Sequence, residues 1–202
     1  LAPVSKMALA DFFVQVSRRG FMKKIRAALA PTIMENKFIG TGVKVPGDQT
    51  LGLAMSRAGD RFVLVSYEGY LQVISETLLP YAIVEAMRMG KSDHLVAAFP
   101  SGPGQSILVM TQVGKLIHRS EESLEGASEL QRKGRMLYTT ARRESGVRVV
   151  GASAVNNGDW AAALHTDGRN TLNAVSDLIG RGALSGGIEL LDFVTFTPSG
   201  SS

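Results

Sequence analysis

One sequence frame occurs four times in this chain, and it limits the possible folds more than any other feature. Each copy has an apolar run, a glycine turn and a second apolar run, which is the pattern of a β-hairpin. The copies span Asp11–Lys24, Asp60–Val73, Gln105–His118 and Asp159–Leu172. Their turn glycines are 49, 45 and 54 residues apart, at Gly20, Gly69, Gly114 and Gly168. Such spacings are typical of β-propeller blades and are too long for leucine-rich or ankyrin repeats.

Fixed positions within the frame support the repeat. Nine residues before the turn glycine stand Asp11, Asp60, Gln105 and Asp159, and three residues before it stand Ser17, Ser66, Thr111 and His165. The runs between these anchors have the composition of strands buried on both faces: Phe12–Val16, Phe62–Val65, Ile107–Met110 and Trp160–Leu164. Strands of small residues precede three hairpins, at Thr50–Ser56, His94–Phe99 and Val149–Ala154. Small side chains suit the narrow centre of a radial array.

The segments after the hairpins are less regular. Further strands are predicted at Thr41–Val45, Ala82–Met87, Arg135–Ala141 and Ile188–Phe193, and helical turns at Ala27–Ala30 and Glu121–Leu124. No strong amphipathic helix is predicted, so the pattern favours an all-β, propeller-like array of about four blades over an α/β fold. The predicted domain covers residues 10–195, after a leading segment 1–9 and before a tail 196–202. Its units are 10–57, 58–101, 102–155 and 156–195.

Composition excludes several kinds of site. The chain has 202 residues, of which 45% are hydrophobic and 20% charged, as in soluble globular proteins. It contains no cysteine, which excludes disulfides, thiolate metal sites and cysteine nucleophiles. There is no secretory signal pattern, and no apolar stretch reaches the roughly 18 residues that a membrane helix needs. These features predict a soluble, cytoplasmic protein.

Positive charge is concentrated in two of the four units. The net charge is +4, yet residues 10–57 hold eight Lys and Arg against three Asp and Glu, and residues 102–155 hold eight against five. Residues 58–101 and 156–202 are net acidic. Clustered cations on a rigid rim neutralise phosphates without reading bases, although ordinary solvated faces are the alternative. The clustered cations concerned are Arg18, Arg19, Lys23, Lys24, Arg26, Lys44, Lys115, Arg119, Arg132, Lys133 and Arg135.

The repeated unit resembles a known family. A strand, Ser/Thr-x-x-Gly, an aromatic residue or Lys, and a strand with Lys or Arg resemble the repeat of the C-terminal domain of the DNA gyrase A protein and of its topoisomerase IV counterpart. The best copies are Val14–Lys24 and Leu108–Arg119, and the resemblance covers about residues 10–195. It implies a β-pinwheel, a propeller variant in which blades exchange strands. It also implies a basic rim that binds and bends duplex DNA. Together with the charge distribution, the resemblance makes the cations named above the predicted DNA-binding residues, and the two net acidic units are expected to contribute little.

The sequence departs from this family in two respects. Gyrase A proteins carry a Gln-Arg-Arg-Gly-Gly-Lys-Gly box in the first blade, which wrapping and negative supercoiling need. The nearest match here is Gln131–Arg135, which is degenerate and lies in the third unit. This departure favours a topoisomerase IV-like or divergent protein. The family also usually has more units than four, which predicts either a fragment or a short, open pinwheel.

Catalytic residues do not converge in the sequence. The three histidines, His94, His118 and His165, lack metal-ligand spacing. The glycine-rich stretches Ser101–Gly104 and Gly180–Gly187 lack the Gly-Lys-Ser/Thr of a phosphate loop. The tyrosines lack the arginine context of the DNA-breaking tyrosine of the family. We therefore expect a domain with no catalytic residue, metal or cofactor of its own.

The predicted function is sequence-independent binding and bending or wrapping of duplex DNA. By the resemblance, the domain would be part of the A protein of a type IIA DNA topoisomerase, and it would position DNA for strand passage. Its partners would be double-stranded DNA, the ATPase subunit of the holoenzyme and the remainder of the A protein. One alternative is a protein-interaction propeller with no role in DNA binding. A weaker alternative is a propeller that binds a small ligand in its central channel.

Overall fold

The computed structural model of the chain describes residues 10–29, 45–184 and 189–198. Strands are the main regular structure in this part and far outnumber helices. The strands are β1 (Phe12–Ser17), β2 (Phe21–Arg26), β3 (Thr50–Ser56), β4 (Arg61–Ser66), β5 (Tyr70–Ser75), β6 (Val84–Glu85), β7 (Leu95–Ser101), β8 (Ser106–Thr111), β9 (Leu116–Ser120), β10 (Arg135–Met136), β11 (Val149–Val155), β12 (Trp160–His165), β13 (Asn170–Ala174) and β14 (Leu190–Phe196). The helices are α1 (Thr140–Glu144) and α2 (Val175–Arg181), with single 3-10 turns at Ala27–Leu29, Glu76–Leu78 and Glu121–Ser123. None of the described helices has the length and apolar character to span a membrane.

The strands form four small antiparallel sheets, each built on one predicted hairpin. Their strand orders are β3-β1-β2-β6, β7-β4-β5-β10, β11-β8-β9 and β14-β12-β13. β6 follows the second hairpin but pairs with β2 of the first, and β10 follows the third hairpin but pairs with β5 of the second. Sheets therefore exchange strands, as the family resemblance predicted. Because the exchanged strands cross the predicted unit boundaries, a unit of sequence is not a blade of the structure.

The strands predicted after the hairpins were partly wrong in extent. Of the predicted strands Ala82–Met87 and Arg135–Ala141, only Val84–Glu85 and Arg135–Met136 are strands. They are short because each pairs with the edge of a neighbouring sheet over two residues only. The chain then turns away, and Thr140–Glu144 is helical. The fourth prediction is shifted, since β14 ends at Phe196. Most of Thr41–Val45 lies outside the described residues, and Val45 is not in a strand.

The predicted small-residue strands lie side by side along one edge of the array. β3 contacts β7, β7 contacts β11, and β11 contacts β14. The approach is closest at Gly151 of β11, where an added Cβ would lie 2.4 Å from the carbonyl oxygen of Phe193. A larger residue would force the two strands apart. This contact gives a physical reason for small side chains in the inner row.

The hairpin turn explains the Ser/Thr-x-x-Gly pattern. In the second hairpin, the Gly69 N–H donates to the Ser66 carbonyl at 3.0 Å, and the Ser66 hydroxyl accepts from the Tyr70 N–H at 3.1 Å. Ser17 and Thr111 make the same pair of bonds in their own turns. Gly69 has a φ of +89°, a conformation that favours glycine. The pattern is therefore a structural requirement of the turn.

Apolar side chains fill the space between successive sheets. The first and second sheets meet through Val14, Val16, Met22, Phe62 and Leu64. The second and third meet through Val63, Val65, Ile107 and Val109, and the third and fourth through Leu108, Met110, Ala161, Ala163 and Phe193. Alternate residues of β4 and β8 thus face opposite neighbours. This arrangement confirms for β4 and β8 the prediction that the strands are buried on both faces. The same prediction was wrong for Trp160–Leu164, because no described segment covers the outer face of β12 and Trp160 and Leu164 are exposed.

Candidate nucleic-acid interface

The tight hairpin turns lie at one end of the sheets and are joined through the backbone. The Arg18 carbonyl accepts from the Leu95 N–H at 2.8 Å, so the first turn is bonded to the inner strand of the second sheet. The equivalent carbonyls of Tyr67 and Gln112 accept from Val149 at 2.9 Å and from Leu190 at 2.7 Å. We call this end of the array the turn face. The first three turns are held in register because each is tied to the next sheet.

Three predicted residues, Arg18, Arg19 and Lys115, lie exposed on the turn face. The Arg19 N–H donates to Asp48 Oδ1 at 3.0 Å, and the Lys115 N–H donates to the Thr111 hydroxyl at 3.0 Å. These bonds fix the backbone and leave the side chains outside the turn. Within the described part of the chain, none of the three side chains is in an ion pair. They are available to an external anion.

A stack of rings and a guanidinium stands between these turns. The Tyr67 and His94 rings stack with centroids 4.8 Å apart, and the Arg148 guanidinium lies 5.8 Å from the Tyr67 centroid. Burial, followed by the nearby positive charge of Arg18, lowers the pKa of His94 below its usual value. Neither Tyr67 nor His94 was among the site residues predicted from the sequence. Tyr67 follows β4 and His94 precedes β7, and these two strands become neighbours only in the folded chain.

A second basic group lines a cleft between the second and third sheets. The cleft has a volume of about 850 Å³, and its cations are Arg119, Arg132, Lys133 and Arg135. Arg119 lies on β9 of the third sheet. The other three reach the cleft because β10 pairs with β5, with Arg135 opposite Leu71. Strand exchange therefore gives the second sheet a basic rim, although the second unit of sequence is net acidic. We call these four residues the cleft cations.

Two of the cleft cations are paired with carboxylates, which compete only weakly with an external anion. Arg132 pairs with Glu129 and Arg135 pairs with Glu125, and all four side chains are exposed. Exposed ion pairs contribute only about 0–1 kcal/mol, so a phosphate can displace the carboxylate. Lys133 Nζ lies 4.3 Å from the centroid of the Tyr70 ring. These contacts orient the side chains without removing them from solvent.

The segment that carries Arg132, Lys133 and Arg135 is held against the second sheet at Gly134. Its φ is +82°, and an added Cβ would lie 2.6 Å from the Leu71 carbonyl oxygen. The preceding segment is joined to the first exchanged strand, since the Arg88 N–H donates to the Arg132 carbonyl at 3.0 Å. Arg88 is exposed and adds a cation that the sequence prediction did not include. Its proximity depends on the exchange of two strands.

Other predicted residues lie elsewhere. Lys24 is 8% exposed and its Nζ lies 2.5 Å from Glu76 Oε1, so it joins the first two sheets instead of facing solvent. Lys23 is partly buried opposite Gln15. Arg26 is exposed, at the far end of β2 from the tight turn, and its Nε donates to the Tyr81 hydroxyl at 3.2 Å. Lys44 lies outside the described residues. The predicted set thus divides among the turn face, the cleft and positions away from both.

The fourth sheet lacks an equivalent basic group. Arg169 Nε donates to Asp167 Oδ2 at 2.6 Å, and Arg181 donates to Asn173 Oδ1 at 2.8 Å. This unit has only these two cations, against five acidic residues. Among the described residues, no group of His, Asp and Glu side chains could hold a metal ion.

The arrangement of sheets agrees with solved structures, although no protein-family model and no curated protein sequence matches the chain. The C-terminal domain of DNA topoisomerase IV aligns with a TM-score of 0.74 and 17% identity, over 97% of this chain and 65% of that one. The DNA gyrase A C-terminal domain aligns with a TM-score of 0.72 and 11% identity, over 92% and 65%. The fold is a β-pinwheel. This pinwheel also matches the E. coli ParC C-terminal domain, with a TM-score of 0.67 and 15% identity, over 93% and 82%.

These matches confirm the predicted fold and the predicted resemblance. At such low identity they show the fold alone. The chain spans about 65% of the length of the first two domains that it matches. The surface chemistry of this chain therefore has to be argued from its own residues.

Proposed function

We propose that this pinwheel binds and bends duplex DNA through contacts that do not depend on base sequence. The observation that carries the proposal is the cleft, where strand exchange assembles Arg119, Arg132, Lys133 and Arg135 from two parts of the chain. Separate surface lysines and arginines are common. Here four cations from two adjoining sheets line one cleft, and the backbone between Lys133 and Arg135 is held by the close contact at Gly134, so we expect them to contact phosphates together.

The turn face supplies further cations for the same ligand. Arg18, Arg19 and Lys115 project from turns that are bonded to successive sheets. A rigid surface can bend DNA only if its cations keep their spacing while the duplex deforms. The backbone bonds between turns and inner strands provide this rigidity. Lys24 is excluded from the proposed surface because its charge is taken up by Glu76.

The biological role that we propose follows from the fold comparison. The matched structures are C-terminal domains of topoisomerase IV and gyrase A, so we assign the pinwheel to the A protein of a type IIA topoisomerase. In that role it positions a DNA segment for strand passage in the cytoplasm and performs no catalysis itself. Its proposed partners are duplex DNA, the ATPase subunit of the holoenzyme and the remainder of the A protein. Because Gln131–Arg135 is degenerate, we expect activity closer to topoisomerase IV than to supercoiling gyrase.

A salt titration tests the proposal directly. We expect the chain to shift duplex DNA of about 100 base pairs at low salt, a length shorter than the persistence length so that bending is measurable. The logarithm of affinity should fall linearly with the logarithm of salt concentration, with a slope of up to about −6 if all seven exposed cations of the cleft and turn face meet phosphates. Energy transfer between dyes at the two DNA ends should increase on binding. Absent binding, or binding indifferent to salt, contradicts the proposal.

One observation favours a second function. The fourth sheet exposes several large apolar side chains, among them Leu172 at 59% and Val194 at 53%. Such a surface suits polypeptide and not DNA. If the pinwheel is instead a protein-interaction module, a protein partner will bind this sheet and DNA affinity will be absent.

A further inference from the structure

The turn face carries a pair of aromatic rings at a position where the other three sheets have none. In each sheet, the first residue of the tight turn donates its N–H to the carbonyl of the residue that precedes the inner strand. These bonds are 2.8 to 2.9 Å long, and the donor and acceptor pairs are Arg18 and Gln49, Tyr67 and His94, Gln112 and Arg148, and Thr166 and Glu189. The backbone contact is the same in all four sheets, so the fold itself does not require rings in the second.

The four pairs form one continuous row, which we call the inner arc. The Arg18 carbonyl accepts an N–H from the residue next to His94. The Tyr67 carbonyl accepts an N–H from the residue next to Arg148. The stacked rings therefore stand between a cation of the first sheet and a cation of the third.

The two rings keep their polar edges free. Tyr67 and His94 are partly buried, and their ring planes are inclined by only 18°. Within the described part of the chain, the Tyr67 hydroxyl and the ring nitrogens of His94 have no hydrogen-bond partner. Because the pKa of His94 is lowered by burial and then by the charge of Arg18, its imidazole is neutral at pH 7. The pair thus presents rings with unpaired polar edges and no charge of its own.

We propose that this ring pair binds unpaired bases of single-stranded DNA, with Arg18 and Arg148 on the flanking phosphates. Proteins that bind single strands combine cations that follow the backbone with aromatic side chains on which bases stack. The Arg18 side chain is exposed and in no described ion pair. The Arg148 guanidinium is held in place by the carbonyls of Arg143 and Val147, each at 2.8 Å. This site needs no duplex, so it is a binding activity beyond the proposed function.

Negative charges limit the site to part of the inner arc. Glu189 is exposed in the fourth pair and would repel a phosphate there. Glu68, next to the rings, is paired with Arg143. Asp93 is buried and accepts the N–H groups of Glu68 and His94 at 2.9 Å. A single strand would therefore cross the first three sheets and leave the arc before the fourth.

Two oligonucleotides of equal charge separate base stacking from phosphate binding. One is oligo-dT of about 15 nucleotides, and the other is an abasic backbone of the same length, each labelled at one end. Fluorescence anisotropy should show that the chain binds oligo-dT about tenfold more tightly, because only this strand has bases for the rings. Equal affinity for the two strands would mean that phosphates alone are bound, which overturns the proposal. Binding of the RNA strand of the same length at least tenfold more tightly than oligo-dT would identify RNA as the occupant and also overturn it.

Substitution of the rings tests their role. Replacing Tyr67 and His94 together by Leu keeps apolar side chains but removes the rings, so the preference for oligo-dT should fall to about twofold or less. Tyr67→Phe is the matched control, since it retains the ring and should retain the preference. A preference that survives the double substitution overturns the proposal. If the double variant does not fold, the comparison of the two oligonucleotides in the unchanged chain still decides the matter.

A duplex measured beside the single strands keeps this site distinct from the proposed function. Binding of oligo-dT with no binding of duplex DNA would contradict the proposed function and support the ring site. Binding of duplex DNA with equal affinity for oligo-dT and the abasic strand would overturn the ring site alone.

Discussion

The second and fourth sheets of the pinwheel are built on equivalent hairpins but differ in what the rest of the chain adds to them. The second sheet is covered on both faces and completed by β10. The fourth sheet has one covered face and, among the described residues, an empty outer edge. The second sheet has a basic rim, whereas the fourth unit has two arginines against five acidic residues. The difference teaches that strand exchange supplies both an outer strand and positive charge to a blade.

The turn glycines Gly69 and Gly168 show the same difference between the two sheets. Gly69 lies under Tyr138, whose hydroxyl donates to the carbonyls of Glu68 at 3.0 Å and Val147 at 2.9 Å. The third unit thus closes over the turn of the second sheet. At Gly168 the described chain provides no such cover. Substitutions at equivalent positions of the two sheets test this contrast, beginning with the largest expected effect.

The most costly change should be the loss of the ion pair that joins two sheets. Lys24→Met leaves the Glu76 carboxylate buried without its partner, so we expect the free energy of unfolding to fall by about 3 kcal/mol. Leu172 occupies the equivalent repeat position in the fourth sheet and is exposed, so Leu172→Lys should change stability by less than about 0.5 kcal/mol. Urea unfolding measures both. A small cost at Lys24 would mean that the pair is not buried in solution.

The turn glycines should differ in their tolerance of a side chain. Gly69→Ala places a Cβ against the Tyr138 ring in addition to the strain of a positive φ, and should cost about 3 kcal/mol. Gly168→Ala has the same backbone strain but open space, and should cost about 1 kcal/mol. The φ values of the two glycines are +89° and +85°, so the backbone strain is the same in both variants and the difference in cost reports the contact with Tyr138. Equal losses in urea unfolding would show that the exchanged segment does not press on Gly69.

Neutralising the basic rim should weaken DNA binding without affecting the fold. Replacing Arg132, Lys133 and Arg135 by Ala should reduce affinity about 10- to 100-fold at low salt for every sequence tested, and should make the salt slope less steep by about 3. The matched control replaces Arg169 and Arg181 of the fourth sheet by Ala and should leave affinity within about twofold. Mobility shifts on two unrelated duplexes measure both variants. Equal losses of DNA affinity in the two variants would show that the second sheet is not the main DNA-binding surface.

The smallest effect concerns the tyrosine that covers the second turn. Burial raises the pKa of Tyr138 from its usual 10.0 to about 12. The unfolded chain therefore loses this proton at lower pH than the folded chain, so stability should fall as the pH rises from about 10 to 12. Tyr138→Phe should remove part of this fall. Unfolding of the unchanged chain and of the variant at several alkaline pH values would reveal the difference, and an identical dependence on pH in the two would contradict it.

Much of the fold could be predicted from the repeat. The Ser/Thr-x-x-Gly turns and the apolar runs depend on local hydrogen bonds and on strand periodicity, and both are visible in a single chain. The exchange of β6 and β10 was implied by the family resemblance alone. Their short pairing could not be read from composition, because two residues are too few to produce a periodic pattern.

The candidate site could be predicted only in part. Arg18, Arg19 and Lys115 stand at tight turns, which are usually exposed. Lys24 was predicted to lie in the interface but is buried. Its position indicated burial, because it lies two residues after the buried Met22 and so on the same face of β2. The grouping of Arg119 with Arg132, Lys133 and Arg135 had no signal in the sequence. It depends on which sheet receives β10.

Local sequence was therefore sufficient for the hairpins, their turns and the approximate number of blades, because these features arise from interactions between residues close in the chain. Tertiary structure decided which blade each strand completes, which cations share a cleft and which apolar face stays open. Those outcomes arise from contacts between residues far apart in the chain, such as Arg135 with Leu71 and Lys24 with Glu76. The basic segment that ends in β10 comes to line the cleft only because the fold pairs β10 with β5.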